Sequence, residues 1–160
     1  MQQYRIGQGF DIHKLDFGLP LIIGGIKFDY EKGFVAHSDG DVLIHAIIDG
    51  LLGALALDDI GTLFPDNDPK YKGIDSTKLL EHVYNLVFEN GYEIGNIDCN
   101  IIAQSPKMMP YIPKMKTILS KILKIKPNQL SIKAKTKEHL DSVGQKLAIE
   151  SQAVVLLNKQ

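Results

Sequence analysis

A carboxylate and an imidazole lie two positions apart in GFDIHKL, an otherwise apolar stretch at residues 9–15. On a β-strand, side chains at positions i and i+2 share a face, so an oxygen of Asp11 and a ring nitrogen of His13 can converge on one point. Zinc accepts both ligand types, and a catalytic zinc site uses three protein ligands plus an open position. The spacing therefore makes the pair a candidate for metal binding, while a partly exposed strand end is the plain alternative.

A third ligand of the right kind occurs in the apolar segment 39–57. His45 lies there among aliphatic residues, and Asp41 and Asp49 lie four positions before and after it. Residues four apart share a helix face, so these three side chains form one polar stripe on an apolar helix. A core histidine satisfied by its neighbouring aspartates is one interpretation. The other is a metal ligand oriented by Asp41 or Asp49, which we favour because the strand pair needs a third partner.

The segment AHSDG, residues 36–40, precedes this helix. We expect His37 and Ser38 to lie where the chain enters the helix, with Ser38 or Asp39 as the N-cap. Unpaired backbone N–H groups at a helix start bind anions such as phosphate. Simple capping by Ser38 explains the same residues and is compatible with anion binding.

A second polar cluster occurs in LSIKAKTKE, residues 130–138. Strand alternation places Ala134, Thr136 and Glu138 on one face of this segment. A hydroxyl next to a carboxylate suits a phosphate and a magnesium ion, because magnesium prefers carboxylate and substrate oxygens. A solvated strand end is again the alternative.

Composition excludes several classes of protein. The 160 residues are 44% hydrophobic and 23% charged, which is typical of a soluble globular protein, and we expect residues 1–160 to form one domain. A net charge of -1 argues against nucleic acid or an anionic membrane as a partner. The only cysteine is Cys99, so no disulfide framework fits. Without a recognisable targeting or membrane segment, the cytoplasm is the expected location.

Strand and helix patterns are mixed along the chain without a strict repeat. They predict an α+β fold, a single two-layer domain with one mixed β-sheet packed with helices. Gly24-Gly25 is a two-residue hairpin signal, and the segment 58–73, rich in Asp, Gly and Pro, reads as a long functional loop. The predicted strands are 4–13, 19–23, 26–30, 95–103, 130–138 and 150–158. The predicted helices are 39–57, 76–90 and 114–124.

Four longer segments resemble one known family. They are RIGQGFDIHKL, AHSDGDVLIHAIIDGLLGALAL, DIGTLFPDNDPKYKGIDS and IIAQSPKMMPYIPKM. Together they resemble the 2-C-methyl-D-erythritol 2,4-cyclodiphosphate synthases of the non-mevalonate isoprenoid pathway, over about Arg5 to Leu157. Four segments in the right order are more specific than any short motif.

The resemblance implies a metal-dependent phosphorus-oxygen lyase of isoprenoid precursor biosynthesis. In this reaction the 2-phosphate of 4-diphosphocytidyl-2-C-methyl-D-erythritol 2-phosphate attacks the β-phosphorus, closes the cyclic diphosphate and expels CMP. The resemblance implies Zn²⁺ on Asp11, His13 and His45, and Mg²⁺ or Mn²⁺ held by Glu138 and the substrate diphosphate. It also implies a homotrimer with active sites between subunits.

Roles for individual residues follow from the same resemblance. His37 and Thr136 would stabilise the transition state as the catalytic residues, and Ser38 would hold a phosphate. The remaining substrate contacts would come from Asp11 and His13, from Asp59, Ile60 and Gly61 on the erythritol portion, and from the closing loop Phe64, Pro65, Asp66, Asn67 and Asp68. The cytidine pocket of a neighbouring subunit would comprise Ala103, Gln104, Ser105, Pro106, Lys107, Met108 and Met109. Residues Ala134, Lys135, Thr136, Lys137 and Glu138 complete the set.

Two other functions are weighed against this one. A non-catalytic trimer that binds nucleotides or isoprenoids is kept open by Ser142, Gln145 and Gln152, where the family typically has an aromatic residue, an arginine and a glutamate. A two-metal phosphoesterase also begins with Asp-x-His, but it needs a later Gly-Asn-His motif that the sequence lacks.

Overall fold

A five-stranded sheet in the order β4-β1-β7-β5-β6 forms the centre of the protein, in a computed structural model that describes residues 3–160. Its strands are β1 (Tyr4–Phe17), β4 (Lys32–Phe34), β5 (Tyr92–Ile102), β6 (Leu130–Lys135) and β7 (Ala148–Lys159). All neighbours are antiparallel except β5 and β6, so the sheet is mixed. A separate hairpin pairs β2 (Leu21–Ile23) with β3 (Ile26–Phe28). The predicted α+β architecture is confirmed.

Three long helices and a short one lie on one face of this sheet, and a second short helix lies on the other. They are α1 (Val42–Leu55), α2 (Ile60–Leu63), α3 (Ser76–Glu89), α4 (Ile112–Ile122) and α5 (Asp141–Gly144), and α1 packs on β1 and β7. None of the described helices has the length and apolar character needed to cross a membrane. The core between helices and sheet is aliphatic and includes Cys99, which is 1% exposed. Burial raises the pKa of the Cys99 thiol to about 12.

Two element boundaries differ from the sequence prediction near the candidate site. Helix α1 begins at Val42 instead of residue 39, because Gly40 has a φ of +73° and the side chain of Asp41 accepts the Ile44 N–H as the N-cap. Strand β6 ends at Lys135, and Glu138 has a φ of +50°. Thr136 and Glu138 therefore lie in a loop, not on the strand face predicted for them. The long segment 58–73 also contains α2 and a 3₁₀ turn at Pro69–Tyr71.

Helix α1 lies directly on the backbone of β1. A methyl group placed on Gly9 would lie 1.7 Å from the carbonyl oxygen of Ala46, and one on Gly7 would lie 1.8 Å from that of Gly50. No side chain larger than hydrogen fits at either position. Since alternate residues of a strand point to opposite faces, this contact turns Arg5, Asp11 and His13 toward the helix layer.

The opposite face of the sheet, which we call the open face, carries only α5 among the described helices, with Val143 packed on Ile102 and Ala148. On β1 it presents Ile6, Phe10 and Ile12, which are 72%, 49% and 41% exposed, and on β7 it presents Val154, which is 49% exposed. An apolar row of this kind on a sheet is typical of a surface that a partner covers.

Substituting Gly9→Ala is expected to destabilise the protein by more than about 3 kcal/mol, because helix and strand must separate to admit the methyl group. Gly53→Ala, on the facing helix α1, is the matched control, since its methyl group would meet nothing closer than the Gln8 carbonyl oxygen at 3.9 Å. The control should be neutral or stabilising by up to about 1 kcal/mol, through helix propensity. Urea unfolding of the three proteins measures both effects, and equal midpoints would contradict the close-contact argument.

Candidate metal centre and substrate cavity

Asp11 and His13 of β1 and His45 of α1 converge on one point. Asp11 Oδ2 lies 2.9 Å from His13 Nε2 and 3.1 Å from His45 Nδ1, and the two nitrogens lie 3.2 Å apart. Tetrahedral coordination with bonds of about 2.0 Å separates ligand atoms by about 3.3 Å. The three donors therefore have the types and spacing that a divalent metal ion such as zinc requires. They form the one candidate metal group among the described histidine, cysteine and acidic residues.

The electrostatics of this centre also favour a cation. Burial raises the pKa of the Asp11 carboxyl, but hydrogen bonds and charge from His13 and His45 outweigh it, so the pKa lies below its usual value. Burial lowers the pKa of His45, and Asp11 opposes this, so that pKa lies above its usual value. A carboxylate wedged between two imidazoles stabilises positive charge at the point where their donor atoms meet.

The prediction that Asp41 or Asp49 orients His45 is corrected by their hydrogen bonds. The Asp41 carboxylate accepts from the backbone N–H groups of Gly24, Gly25 and Ile44, at 2.9, 2.7 and 3.0 Å. Asp49 accepts from the backbone N–H of Ile60 at 2.8 Å. Helical spacing correctly places these carboxylates on the face of His45, but nearby backbone donors engage them first.

Ser76 takes the orienting role instead. Its hydroxyl lies 2.9 Å from His45 Nε2, and the Ser38 hydroxyl lies 3.3 Å from the same nitrogen. Because Nδ1 faces Asp11 and His13 as the ligand atom, Nε2 carries the hydrogen and donates it to Ser76 Oγ. Ser76 Oγ in turn donates to Asp39 Oδ1, and the other oxygen, Asp39 Oδ2, accepts the Ser76 backbone N–H at 2.9 Å. Sequence spacing gives no sign of this chain, since Ser76 lies 31 residues beyond His45.

Removing the Ser76 hydroxyl is expected to weaken metal binding. Ser76→Ala leaves the Nε2–H of a buried imidazole without its main acceptor, and loss of such a partner typically lowers metal affinity about 10- to 100-fold. The matched control is Ser120→Ala on α4, a buried serine whose hydroxyl donates to the Lys116 carbonyl. Competition between the protein and a chromophoric chelator for Zn²⁺ measures the affinity, and equal affinities of the two variants would exclude the orienting role.

A cavity of about 380 Å³ opens over the metal centre. The predicted site residues that line it are Asp11, His13, His37, Ser38, His45, Ile60, Gly61, Phe64 and Asp66. The walls that sequence reasoning missed are mainly apolar: Val35, Ala36, Tyr71, Ile74 and Leu79. These carry only the general signature of apolar side chains, which does not separate a cavity wall from a core.

Asp59, predicted to contact the erythritol portion, and the rest of the predicted closing loop do not line the cavity. Asp59 caps α2 by accepting from the Thr62 N–H at 2.8 Å and from the Thr62 hydroxyl at 2.9 Å. The Asp68 carbonyl lies 3.4 Å from His37 Nε2, and its carboxylate accepts from Lys70 N. Pro65 and Asn67 are exposed between them. The carboxylates of Asp59 and Asp68 are therefore engaged by local backbone donors.

The remaining predicted residues form a second group elsewhere on the sheet. The Ala103 N–H donates to the Lys135 carbonyl at 2.9 Å, the Gln104 side chain accepts from His139 N at 3.1 Å, and Thr136 Oγ1 donates to Glu138 Oε1 at 2.9 Å. These contacts unite the segments 103–109 and 134–138. Neither segment contributes to the cavity wall around the metal centre.

Strand register gives the separation of the two groups. Asp11 is paired with Ser151, Ser151 with Ile101, and Ile101 with Ala134. Three strand spacings of about 4.8 Å place Asp11 and Ala134 at the same level of the sheet but about 14 Å apart. Within one chain, the predicted site is therefore split into two parts. We call the trio Asp11, His13 and His45 with its cavity the metal half, and the segments 103–109 and 134–138 the second half.

A small α+β protein with an Asp-His-His metal centre at a cavity is the class that this fold and site define. The chain belongs to the YgbB family, whose model matches residues 4–158. It is 58% identical over 153 residues to the 2-C-methyl-D-erythritol 2,4-cyclodiphosphate synthase of Clostridioides difficile (strain 630), which covers 96% of this chain and 95% of that relative. The synthase of Geobacillus thermodenitrificans (strain NG80-2) is 51% identical, with 98% of both chains covered.

Solved structures show the same similarity. The CDP complex of IspF from Plasmodium falciparum has a TM-score of 0.87 and 41% identity, covering 98% of this chain and 97% of that one. The bifunctional IspDF from Campylobacter jejuni has a TM-score of 0.96 and 37% identity, covering all of this chain. This chain spans 43% of that bifunctional protein.

Proposed function

We propose that the protein converts 4-diphosphocytidyl-2-C-methyl-D-erythritol 2-phosphate into 2-C-methyl-D-erythritol 2,4-cyclodiphosphate and CMP, for isoprenoid precursor biosynthesis. The observation that carries this proposal is the Asp11–His13–His45 centre in the wall of the cavity, in a chain whose relatives are named for that synthase. The enzyme is a metal-dependent lyase, and a non-catalytic binding protein is not favoured.

The reaction is an intramolecular phosphoryl transfer. An oxygen of the 2-phosphate forms a bond to the β-phosphorus, and the bond from that phosphorus to the CMP oxygen breaks, so CMP leaves with the electron pair. The nucleophile is already an anion, which removes the need for a general base. Holding attacker and target in one folded conformation contributes up to ~7–11 kcal/mol of barrier reduction.

The residues of the chain bind and orient the anionic groups. His37 and Ser38 line the cavity next to the metal centre and are placed to donate to phosphate oxygens. Thr136 offers its hydroxyl from the second half, where Glu138 is its present acceptor. Divalent ions, Zn²⁺ at the trio and Mg²⁺ or Mn²⁺ at Glu138, supply the positive charge that offsets repulsion between the phosphates. A single exposed carboxylate such as Glu138 fits an ion that completes its shell with substrate oxygens and water.

The split of the site supports a homotrimer in which each active site joins the metal half of one subunit to the second half of its neighbour. A separation of about 14 Å along the sheet is too long for one diphosphate to span inside a single chain. The exposed apolar row Ile6, Phe10, Ile12 and Val154 on the open face provides a surface for self-association. The cytidine would then bind against residues 103–109 of the neighbour. We place this activity in the cytoplasm, where a lone reduced cysteine is usual.

A phosphorus NMR time course tests the reaction. The purified protein with the diphosphocytidyl substrate, Zn²⁺ and Mg²⁺ is expected to give CMP together with the two coupled resonances of a cyclic diphosphate. Asp11→Asn should lower this rate at least about 100-fold, because the centre loses its anionic ligand. Inorganic phosphate as the product would instead mean that water attacks, which contradicts the cyclase. An unchanged substrate spectrum with bound nucleotide would favour the non-catalytic binder.

Mixed oligomers test the intersubunit site. Asp11→Ala damages the metal half and Glu138→Ala damages the second half, so each variant alone should be nearly inactive. In a mixed trimer, one site in three combines two intact halves, so the isolated mixed species should have about a third of wild-type activity. Coexpression with two affinity tags isolates the mixed species for assay. No recovery in it would place each site within one chain.

A further inference from the structure

The loop of residues 136–147, which carries Thr136 and Glu138, has an unfavourable backbone. Glu138, His139, Asp141 and Lys146 have φ values of +50°, +62°, +55° and +62°. Residues with a Cβ rarely adopt this left-handed region, and such conformations persist only where the surroundings hold them in place. Something must therefore fix this loop against the sheet.

Val143 packs on Ile102 and Ala148, and Lys137 adds two ion pairs that help to fix the loop. The Lys137 ammonium group lies 2.9 Å from Glu150 Oε1 and 3.2 Å from Asp141 Oδ2. Glu150 belongs to β7, pairs with Ile102 of β5, and has a side chain only 11% exposed. Asp141 lies on the loop, and its other carboxylate oxygen accepts from Val143 N at 2.9 Å. Lys137 thus links two parts of the loop through Asp141, and it links the loop to the central strand β7 through Glu150.

This contact changes the role expected for Lys137. If its ammonium group turned to a substrate phosphate, the nearly buried Glu150 carboxylate would lose its cation, and an unpaired buried charge is costly. Lys137 is therefore committed to protein carboxylates, although it stands between the two predicted substrate residues.

We propose that Lys137 is a positioning residue, which bridges Glu150 and Asp141 and thereby sets the placement of Thr136 and Glu138 for the substrate diphosphate. The proposal rests on the proposed function, and it replaces direct substrate binding by Lys137. Its range is short, because Thr136 and Glu138 are the immediate neighbours of Lys137 in the chain. Misplacement of a reacting group by about 1 Å can cost about 100-fold in rate.

The test compares Lys137→Met, Glu150→Gln and the double variant Lys137→Met/Glu150→Gln, which leaves no unpaired charge in a buried position because Asp141 is half-exposed. Each should lower kcat at least about tenfold while KM stays within about twofold. Lys137→Arg should remain within about threefold of wild type, because its guanidinium can also bridge two carboxylates. The matched control is Lys133→Met on β6, which breaks the 2.6 Å ion pair to Asp98 and should leave kcat within about twofold.

A second readout does not depend on turnover. Titration of Mn²⁺ into the protein saturated with CDP and with Zn²⁺ at the trio, followed by electron paramagnetic resonance, reports the ion held by Glu138 and a diphosphate. The dissociation constant of Mn²⁺ should rise at least about fivefold in Lys137→Met, Glu150→Gln and the double variant, and stay unchanged in Lys133→Met. Amide hydrogen exchange in residues 136–147 should accelerate in the same three variants.

Three results would overturn the proposal. The first is a raised KM in Lys137→Met with wild-type behaviour of Glu150→Gln, which means direct substrate binding. The second is loss of stability with unchanged kcat and Mn²⁺ affinity, which means a purely structural ion pair. The third is failure of the wild-type protein with CDP to bind Mn²⁺. If wild type binds Mn²⁺ as expected but forms no cyclic diphosphate, the proposed reaction fails and the positioning role of Lys137 stands.

Discussion

The contact between the backbones of β1 and α1 is the constraint on which the metal centre depends. Gly7 and Gly9 allow the helix carbonyl oxygens of Gly50 and Ala46 to approach the strand, so no layer of side chains separates the two elements. His45 precedes Ala46 on that helix, and Asp11 follows Gly9 by two residues on the strand. The same glycines that remove packing volume therefore bring three donor atoms within 3.2 Å of one another. A conventional helix–sheet distance of about 10 Å would keep them apart.

Both halves of the site are fixed by buried polar groups that do not touch the substrate in the proposed mechanism. In the metal half, Asp39 receives the hydrogen of Ser76, whose oxygen accepts from His45. In the second half, the Glu150 carboxylate forms an ion pair with Lys137, which lies between Thr136 and Glu138 in the chain. Each arrangement begins at a carboxylate and ends beside a residue that binds a metal ion or phosphate in the proposed mechanism. Polar groups away from the substrate thus orient the site residues, whose misplacement by a fraction of an ångström changes the reaction rate.

The sequence predicts the local part of this arrangement well. Period-two alternation over GFDIHKL is sufficient to place Asp11 and His13 on one face, and the apolar run around His45 is sufficient to make it buried. The extent of α3 follows from its N-terminal serine and its Asn90-Gly91 end. The four quoted segments and their order were enough to indicate the family, which the comparisons show.

What the sequence could not supply is tertiary competition for hydrogen bonds. Asp41 is drawn away from His45 by the N–H groups of Gly24 and Gly25, which a distant hairpin provides. Ser76 reaches His45 only because α3 begins beside α1. The alternating pattern of residues 130–138 predicts too long a strand. The strand ends at Lys135, and Thr136 and Glu138 lie in a loop in which Glu138 and His139 have a left-handed backbone conformation. These outcomes depend on contacts between elements, and no local pattern encodes them.

The buried Cys99 has a practical consequence. Its thiol is 1% exposed and its pKa is raised to about 12, so at neutral pH almost none of it is the thiolate that reacts with maleimides. The natural chain can therefore serve as its own cysteine-free background. A new cysteine at exposed Asn67, in the predicted closing loop, would be labelled alone. A fluorophore there could follow closure over the cavity in real time, with every core side chain left in its original place.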